Sequence, residues 1–101
     1  MTTTLTIGRE ELAEVRAILT RILPAGVCVF VFGSRAGGAV KPWSDLDLAF
    51  ESDHGLSRRI LGELADAFDE SRLPWRVDLV DRATVSGDFG RIIDQTKVPL
   101  E

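Results

Sequence analysis

The sequence is poor in the features that would assign it to an oxidising compartment or to a membrane. It has a single cysteine, Cys28, so no disulfide can form within the chain, which favours a reducing compartment. No apolar run is long enough to span a bilayer, and the first residues do not read as a signal peptide. We therefore expect a cytoplasmic protein without a membrane partner. Because Cys28 falls inside an apolar run, we expect a core thiol rather than a nucleophile.

Clustered positive charge is also missing. The formal net charge is −4, and no patch or stripe of lysine and arginine is visible. General nucleic-acid binders usually carry such a patch, so direct contact with nucleic acid is not expected. At 101 residues, 45% of them hydrophobic, the chain fits one globular domain spanning residues 1–101.

The segment from residue 27 to residue 51 carries the candidate site. Its apolar, β-branched start, Val27–Phe32, is bounded by glycines and predicts a buried strand. Gly33 and Ser34 follow as a small-residue turn, where backbone amides can approach a ligand closely. After a short predicted helical turn at 34–38 and a loop at 39–43, a second strand is expected at Asp45–Glu51.

Two aspartates in the second predicted strand suggest a metal site. Side chains alternate across a strand, so Asp45 and Asp47 share one face while their apolar neighbours face a core. Adjacent carboxylates repel each other, and a divalent cation such as magnesium removes that repulsion. A merely solvated strand face is the alternative, and the aspartate pair alone does not decide between the two. The adjacent Gly–Ser turn favours a phosphate and metal site.

The other elements are expected to flank these strands. Apolar residues at helical spacing predict helices at Arg9–Leu23 and Leu56–Ser71 and a weak helix at Val85–Gln95. A third strand is expected at Trp75–Val80, and an extended tail follows the last helix. The apolar stripe of the second helix includes Ala65, and the last helix should turn Phe89, Ile92 and Ile93 inward.

A strand–helix–strand unit of this length favours parallel pairing of the second and third strands. That pairing places Asp78 beside Asp45 and Asp47, whereas Asp81 is expected to be a loop or cap residue. The predicted fold is therefore α/β (α+β), with a small mixed β-sheet and flanking helices. Three carboxylates around a Gly–Ser turn suit two-metal phosphoryl transfer.

The pattern of Gly33-Ser34, a spacer and Ser44-Asp45-Leu46-Asp47-Leu48 resembles the signature of the nucleotidyltransferase superfamily that includes polymerase beta. The small size and the Gly-Ser-Arg-Ala start resemble its minimal members, the MNT domains, which are antitoxins of HEPN/MNT toxin–antitoxin systems. The resemblance runs from about Arg9 to about Leu100. It implies the nucleotidyltransferase fold and a HEPN-domain toxin as partner.

The resemblance also implies an activity. A nucleoside monophosphate, in the first instance AMP from ATP, would pass to a hydroxyl on the HEPN partner, such as that of a tyrosine, and pyrophosphate would leave. Two Mg²⁺ ions would be held by Asp45, Asp47 and Asp78. The nucleoside triphosphate would be held by Gly33, Ser34, Arg35 and Ser44.

One departure from the family pattern leaves an alternative open. The family usually reads Gly-Ser-Arg-Ala-Arg-Gly, and here Gly37 replaces the second arginine, which removes one phosphate contact. The alternative is a binding-only antitoxin that covers its HEPN partner and has a weak or inactive site. A small-molecule nucleotidyltransferase of the antibiotic-resistance type is less expected, because those enzymes normally carry an extra domain.

Overall fold

The computed structural model describes residues 7–33 and 45–100. Within these ranges the elements, in chain order, are α1 (Arg9–Ile22), β1 (Cys28–Phe32), β2 (Leu46–Glu51), α2 (Arg58–Asp69), β3 (Val77–Asp81), α3 (Gly87–Thr96) and β4 (Val98–Pro99). A 3-10 turn at Arg82–Thr84 joins β3 to α3. In this described part of the chain, no helix combines the length and apolar character needed to cross a membrane.

The four strands form one mixed sheet in the order β3-β2-β1-β4. β2 and β3 are parallel and are joined through α2, whereas β1 pairs antiparallel with both β2 and β4. The mixed sheet and the parallel pairing are therefore as predicted. The predicted extended tail adds a short edge strand, β4, whose pairing with β1 the sequence pattern did not indicate.

One face of β2 forms the centre of the main core. Leu46, Leu48 and Phe50 alternate along the strand and are fully buried, because α1 and α2 cover this face together. The helices contribute a buried stripe made of Val15, Ile18 and Leu19 from α1 with Leu64 and Phe68 from α2. Ala65 was expected in this stripe but is exposed, because it lies one residue beyond Leu64 on the helix.

The opposite face of the sheet is covered in part by α3. Ile93 is fully buried there against Phe32 and Ala49 in a second, smaller cluster. Gly90 and Ile93, three residues apart, form the buried stripe of α3. Each residue turns a helix by about 100°, so Ile92 lies off this stripe, whereas Phe89, four residues before Ile93, lies at its edge and contacts the Phe32 ring.

Ion pairs hold α3 against the sheet. The Arg82 guanidinium donates to both Asp94 oxygens at 3.1 and 2.9 Å. Lys97 pairs with Glu51 of β2 and reaches Asp94 at 3.5 Å. Gly90 leaves room for this arrangement, since a Cβ there would lie 2.9 Å from the guanidinium. The helix therefore docks through a small apolar contact and a charge network.

The predicted burial of Phe89, Ile92 and Cys28 is wrong. Phe89 and Ile92 are 45% and 51% exposed. Phe89 still contacts the sheet, because its ring packs edge-on against Phe32 at a centroid distance of 5.9 Å. Cys28 is exposed and is not a core thiol. It occupies the first position of β1, outside the stretch at Phe30 and Val31 that β4 covers.

Asp81 is a buried capping residue, as predicted. It is the last residue of β3 and only 5% exposed. One carboxylate oxygen accepts from the Leu56 N–H at 2.9 Å, and the other accepts from the Ala83 N–H at 3.1 Å. Asp81 thereby ties the loop before α2 to the turn before α3. Gly55 has a φ of +73°, and a Cβ there would lie 2.9 Å from this carboxylate.

Replacing Asp81 should destabilise the fold without touching the carboxylate face. Asp81→Ala leaves the Leu56 and Ala83 N–H groups without their acceptors, and we expect a loss of about 2 kcal/mol in the free energy of unfolding. Chemical denaturation of the variant measures this loss. The control is Asp53→Ala, in an exposed loop position, which should stay within about 0.5 kcal/mol of the parent. Equal stability of the two variants would contradict the capping role.

Candidate active site

The strand register brings Asp47 and Asp78 together. Asp47 in β2 stands directly opposite Asp78 in the parallel strand β3, and opposite Phe32 in the antiparallel strand β1. The two carboxyl groups are close enough for Asp78 to raise the pKa of Asp47, both through its charge and as a hydrogen-bond partner of protonated Asp47. Asp45 lies just before β2, close enough for its charge to act on Asp47. The predicted proximity of Asp78 to Asp47 is therefore present.

The surroundings of Asp47 disfavour its charged form and raise its pKa. Four causes together raise the pKa of Asp47 from 3.8 to about 6: in order of size, they are burial, the charge of Asp78, a hydrogen bond with Asp78 and the charge of Asp45. Partial burial removes water that would stabilise the charged form, and like charges nearby add to the cost. Near neutral pH the site thus holds negative charge that a cation would stabilise.

Gly33 gives Asp47 its space. Its φ is +77°, in the left-handed region that side chains other than glycine rarely adopt. A Cβ at this position would also collide with the Asp47 carboxylate. Gly33 and the Asp47 carboxylate therefore lie directly against each other, so a ligand bound at Gly33 would lie beside Asp47.

Arg76 belongs to the same surface. Its carbonyl accepts from the Leu46 N–H at 2.9 Å, which places it beside Asp45 at the start of the two parallel strands. Its Nη2 lies 3.3 Å from an oxygen of Asp78. Arg76 was assigned no role from the sequence. The two-residue spacing to Asp78 is the signal that marks it, because residues i and i+2 of a strand share a face.

The described carboxylates can supply part of the coordination shell of a magnesium ion. Among residues 7–33 and 45–100, no three His, Cys, Asp or Glu side chains form a ready metal cluster. Magnesium is typically bound through one or two carboxylates, with substrate phosphates and water completing the shell. The paired oxygens of Asp47 and Asp78, whose repulsion a cation would relieve, match that kind of site.

The remaining predicted site residues are Ser34, Arg35 and Ser44. They lie outside the described residues, as do the predicted turn at 34–38 and the loop at 39–43. Their part in the site stays a prediction.

Comparison with known proteins now decides the family. A model of the nucleotidyltransferase domain matches residues 12–98. The chain belongs to the nucleotidyltransferase domain family. It is 47% identical over 97 residues to the curated "Probable protein adenylyltransferase MntA" of Haemophilus influenzae, a match that covers 96% of this chain and 84% of the relative. The family predicted from the residues is confirmed.

Solved structures confirm the fold. One match is a crystal structure of a toxin–antitoxin with AMP-PNP, which has a TM-score of 0.69 and 25% sequence identity. The match covers 89% of this chain and 72% of the matched chain. A second match is a complex of a tri-AMPylated Shewanella oneidensis HEPN toxin with its MNT antitoxin, with a TM-score of 0.65. It covers 89% of this chain and 68% of that chain at 23% identity, and it supports the fold alone. The predicted nucleotidyltransferase fold is the fold observed.

The pKa of Asp47 predicts how stability depends on pH without metal. The folded state holds the Asp47 proton more tightly than the unfolded chain, so the free energy of unfolding should fall as pH rises from 3.8 to about 6. Asp47→Asn removes the titrating group. We expect it to flatten this fall and to gain about 1 kcal/mol or less at neutral pH, because solvent screens the half-exposed carboxylate.

Denaturation between pH 4 and 8 in a chelating buffer measures this effect. The matched control is Asp53→Asn, an exposed aspartate outside the site, which should follow the parent curve. If Asp47→Asn also follows the parent curve, the pKa of Asp47 is not raised in the folded protein.

Proposed function

We propose that this chain is a protein adenylyltransferase that moves AMP from ATP to a hydroxyl of a HEPN-domain toxin and so acts as its antitoxin. The Asp47–Asp78 pair beside Gly33 is the observation that carries the proposal. It is supported by the relative called a protein adenylyltransferase and by the toxin–antitoxin structure with AMP-PNP. A cytoplasmic location stays a prediction of the sequence.

Each carboxylate has a distinct part in this proposal. Asp45 and Asp47 hold magnesium, and Asp78 completes a second metal position and accepts the proton of the attacking hydroxyl. Two bound Mg²⁺ ions would stabilise the charge on the attacking and leaving oxygens. The triphosphate is held by the turn and loop residues Gly33, Ser34, Arg35 and Ser44.

The proposed transfer balances as follows. The acceptor oxygen forms a bond to the α-phosphorus of ATP, and the bond from that phosphorus to the bridging oxygen of the β-phosphate breaks. Pyrophosphate leaves, and the hydroxyl proton passes to Asp78. The acceptor then carries AMP through a phosphoester bond.

A protein acceptor suits the open carboxylate face. β3, which carries Asp78, is an edge strand of the described sheet. α1 and α2 both lie on the other face, so neither closes over the carboxylates. A large acceptor can therefore approach Asp78 without displacing the main core.

Nucleotide binding should depend on magnesium, because the carboxylates repel a triphosphate in its absence. Calorimetry with ATP should give an affinity at least about tenfold weaker in chelating buffer than with Mg²⁺. Asp53→Asn should keep the magnesium effect, whereas Asp47→Asn should reduce it. Equal affinity with and without the metal would contradict a metal-dependent site.

The position of the radioactive label separates AMP transfer from kinase activity. ATP labelled at the α-phosphate should mark the HEPN partner on a hydroxyl side chain, whereas ATP labelled at the γ-phosphate should leave it unmarked. Asp45→Asn and Asp47→Asn should both abolish the mark, and Asp53→Asn should preserve it. A mark from the γ-phosphate would indicate a kinase.

The binding-only alternative rests on Gly37, which stands where the family pattern has an arginine. Survival of cells expressing the toxin tests it. If Asp45→Asn protects them as well as the parent does, neutralisation occurs by binding. If it fails to protect while still forming the complex, neutralisation requires the transfer.

A further inference from the structure

Arg76 stands at the open edge of the carboxylate face. The hydrogen bond from Leu46 to its carbonyl aligns it with Asp45, one step before the Asp47–Asp78 pair. Residues two apart on a strand share a face, so Arg76 and Asp78 point to the same side as Asp47. The site therefore combines carboxylates near its centre with a cation on the outer strand.

The guanidinium of Arg76 is loosely held. Among the described residues, it pairs with a single oxygen of Asp78 at 3.3 Å, and the arginine side chain is 81% exposed. Exposed pairs of this kind contribute little to stability. Arg82 differs in each respect, because it binds Asp94 through two nitrogens at 27% exposure and holds α3 in place. Within residues 7–33 and 45–100, Arg76 therefore has donors available for a bound molecule, whereas the donors of Arg82 stabilise the fold.

The geometry of in-line displacement indicates that Arg76 lies on the acceptor side of the reacting phosphorus. In such a reaction the attacking and leaving oxygens lie on opposite sides of the phosphorus. Gly33, where the leaving phosphates are expected, follows β1 on one side of β2, and Arg76 precedes β3 on the other. The acceptor hydroxyl must then arrive over β3, past Arg76.

We propose that Arg76 binds the acceptor protein by pairing with a carboxylate that lies beside the hydroxyl to be modified. This inference rests on the proposed function for the direction of attack. Arg76 is thus a specificity-determining residue: it favours acceptor segments that carry an acidic group next to the hydroxyl. The five N–H donors of a guanidinium suit such a carboxylate better than a lysine does.

Steady-state transfer to the HEPN partner tests the proposal. Arg76→Gln should raise the KM for the partner about tenfold, the effect of losing one charge-assisted hydrogen bond. It should leave the KM for ATP within about twofold. Arg76→Lys, which keeps the charge, should recover part of the loss, and the penalty for Arg76→Gln should shrink at high salt. A rise in the KM for ATP with no change for the partner would overturn the proposal.

Arg59→Gln is the matched control. Arg59 is 84% exposed on α2 and pairs with a single carboxylate, that of Glu63, but α2 lies on the opposite face of the sheet. The same loss of charge there should leave both KM values unchanged, and an equal effect of both variants would overturn the proposal.

Failure of the proposed function gives a different result. If the parent transfers no label, the affinity of the unmodified complex is measured by calorimetry with AMP-PNP and Mg²⁺. Weaker binding of the partner by Arg76→Gln, but not by Arg59→Gln, then supports the contact although the transfer is absent. Equal binding by both variants overturns the contact.

Discussion

The two-residue alternation of β2 is the constraint on which the rest of the structure depends. The strand is paired on both edges, and one of its faces is fully buried between α1 and α2. Leu46 and Leu48 must take that face, so Asp47 between them must take the other. A shift of register by one residue would bury the carboxylate in the core and expose the leucines. The hydrophobic core thereby fixes the direction of a functional side chain.

The position imposed on Asp47 is electrostatically unfavourable in the free protein. Partial burial and the facing Asp78 raise its pKa to about 6. Gly33 adds to this proximity, because its missing Cβ lets the turn after β1 close against the same carboxylate. This electrostatic cost is confined to the carboxylate face, and the hydrophobic core on the other face of the sheet offsets it. A cation bound at this face would convert the repulsion into binding affinity.

The face that carries the site is divided between two kinds of charged groups. Near α3 the charges are paired: Arg82 with Asp94, and Lys97 with Glu51. This network holds a short helix whose apolar contact is small, and its charges balance. Near Asp47 the carboxylates outnumber the single loosely held Arg76 of the described face. The first region is suited to stabilising the fold, and the second is suited to binding a cation and a charged partner.

The sequence by itself determined the elements with strong periodicity and the family. Leu46, Leu48 and Phe50 alternate with Asp45 and Asp47, and a helix of crossover length separates them from Asp78. The parallel pairing of β2 and β3 and the proximity of Asp47 and Asp78 therefore followed from local rules. A loop or cap position was also predicted for Asp81, and it caps the turn after β3. These features depend on spacing along the chain, which the sequence states directly.

Only the tertiary structure decided what depends on packing between distant elements. The pattern of α3 indicated that Phe89 and Ile92 face inward, but the buried residues of this short helix are Gly90 and Ile93. Phe89 contacts Phe32 edge-on and remains 45% exposed. Cys28 looked buried within an apolar run, yet the reach of β4 leaves it exposed. The raised pKa of Asp47 and the contact of Arg76 with Asp78 likewise need distances across strands. Periodicity gives the face of a residue within its own element, and burial and charge coupling depend on which neighbours cover that face.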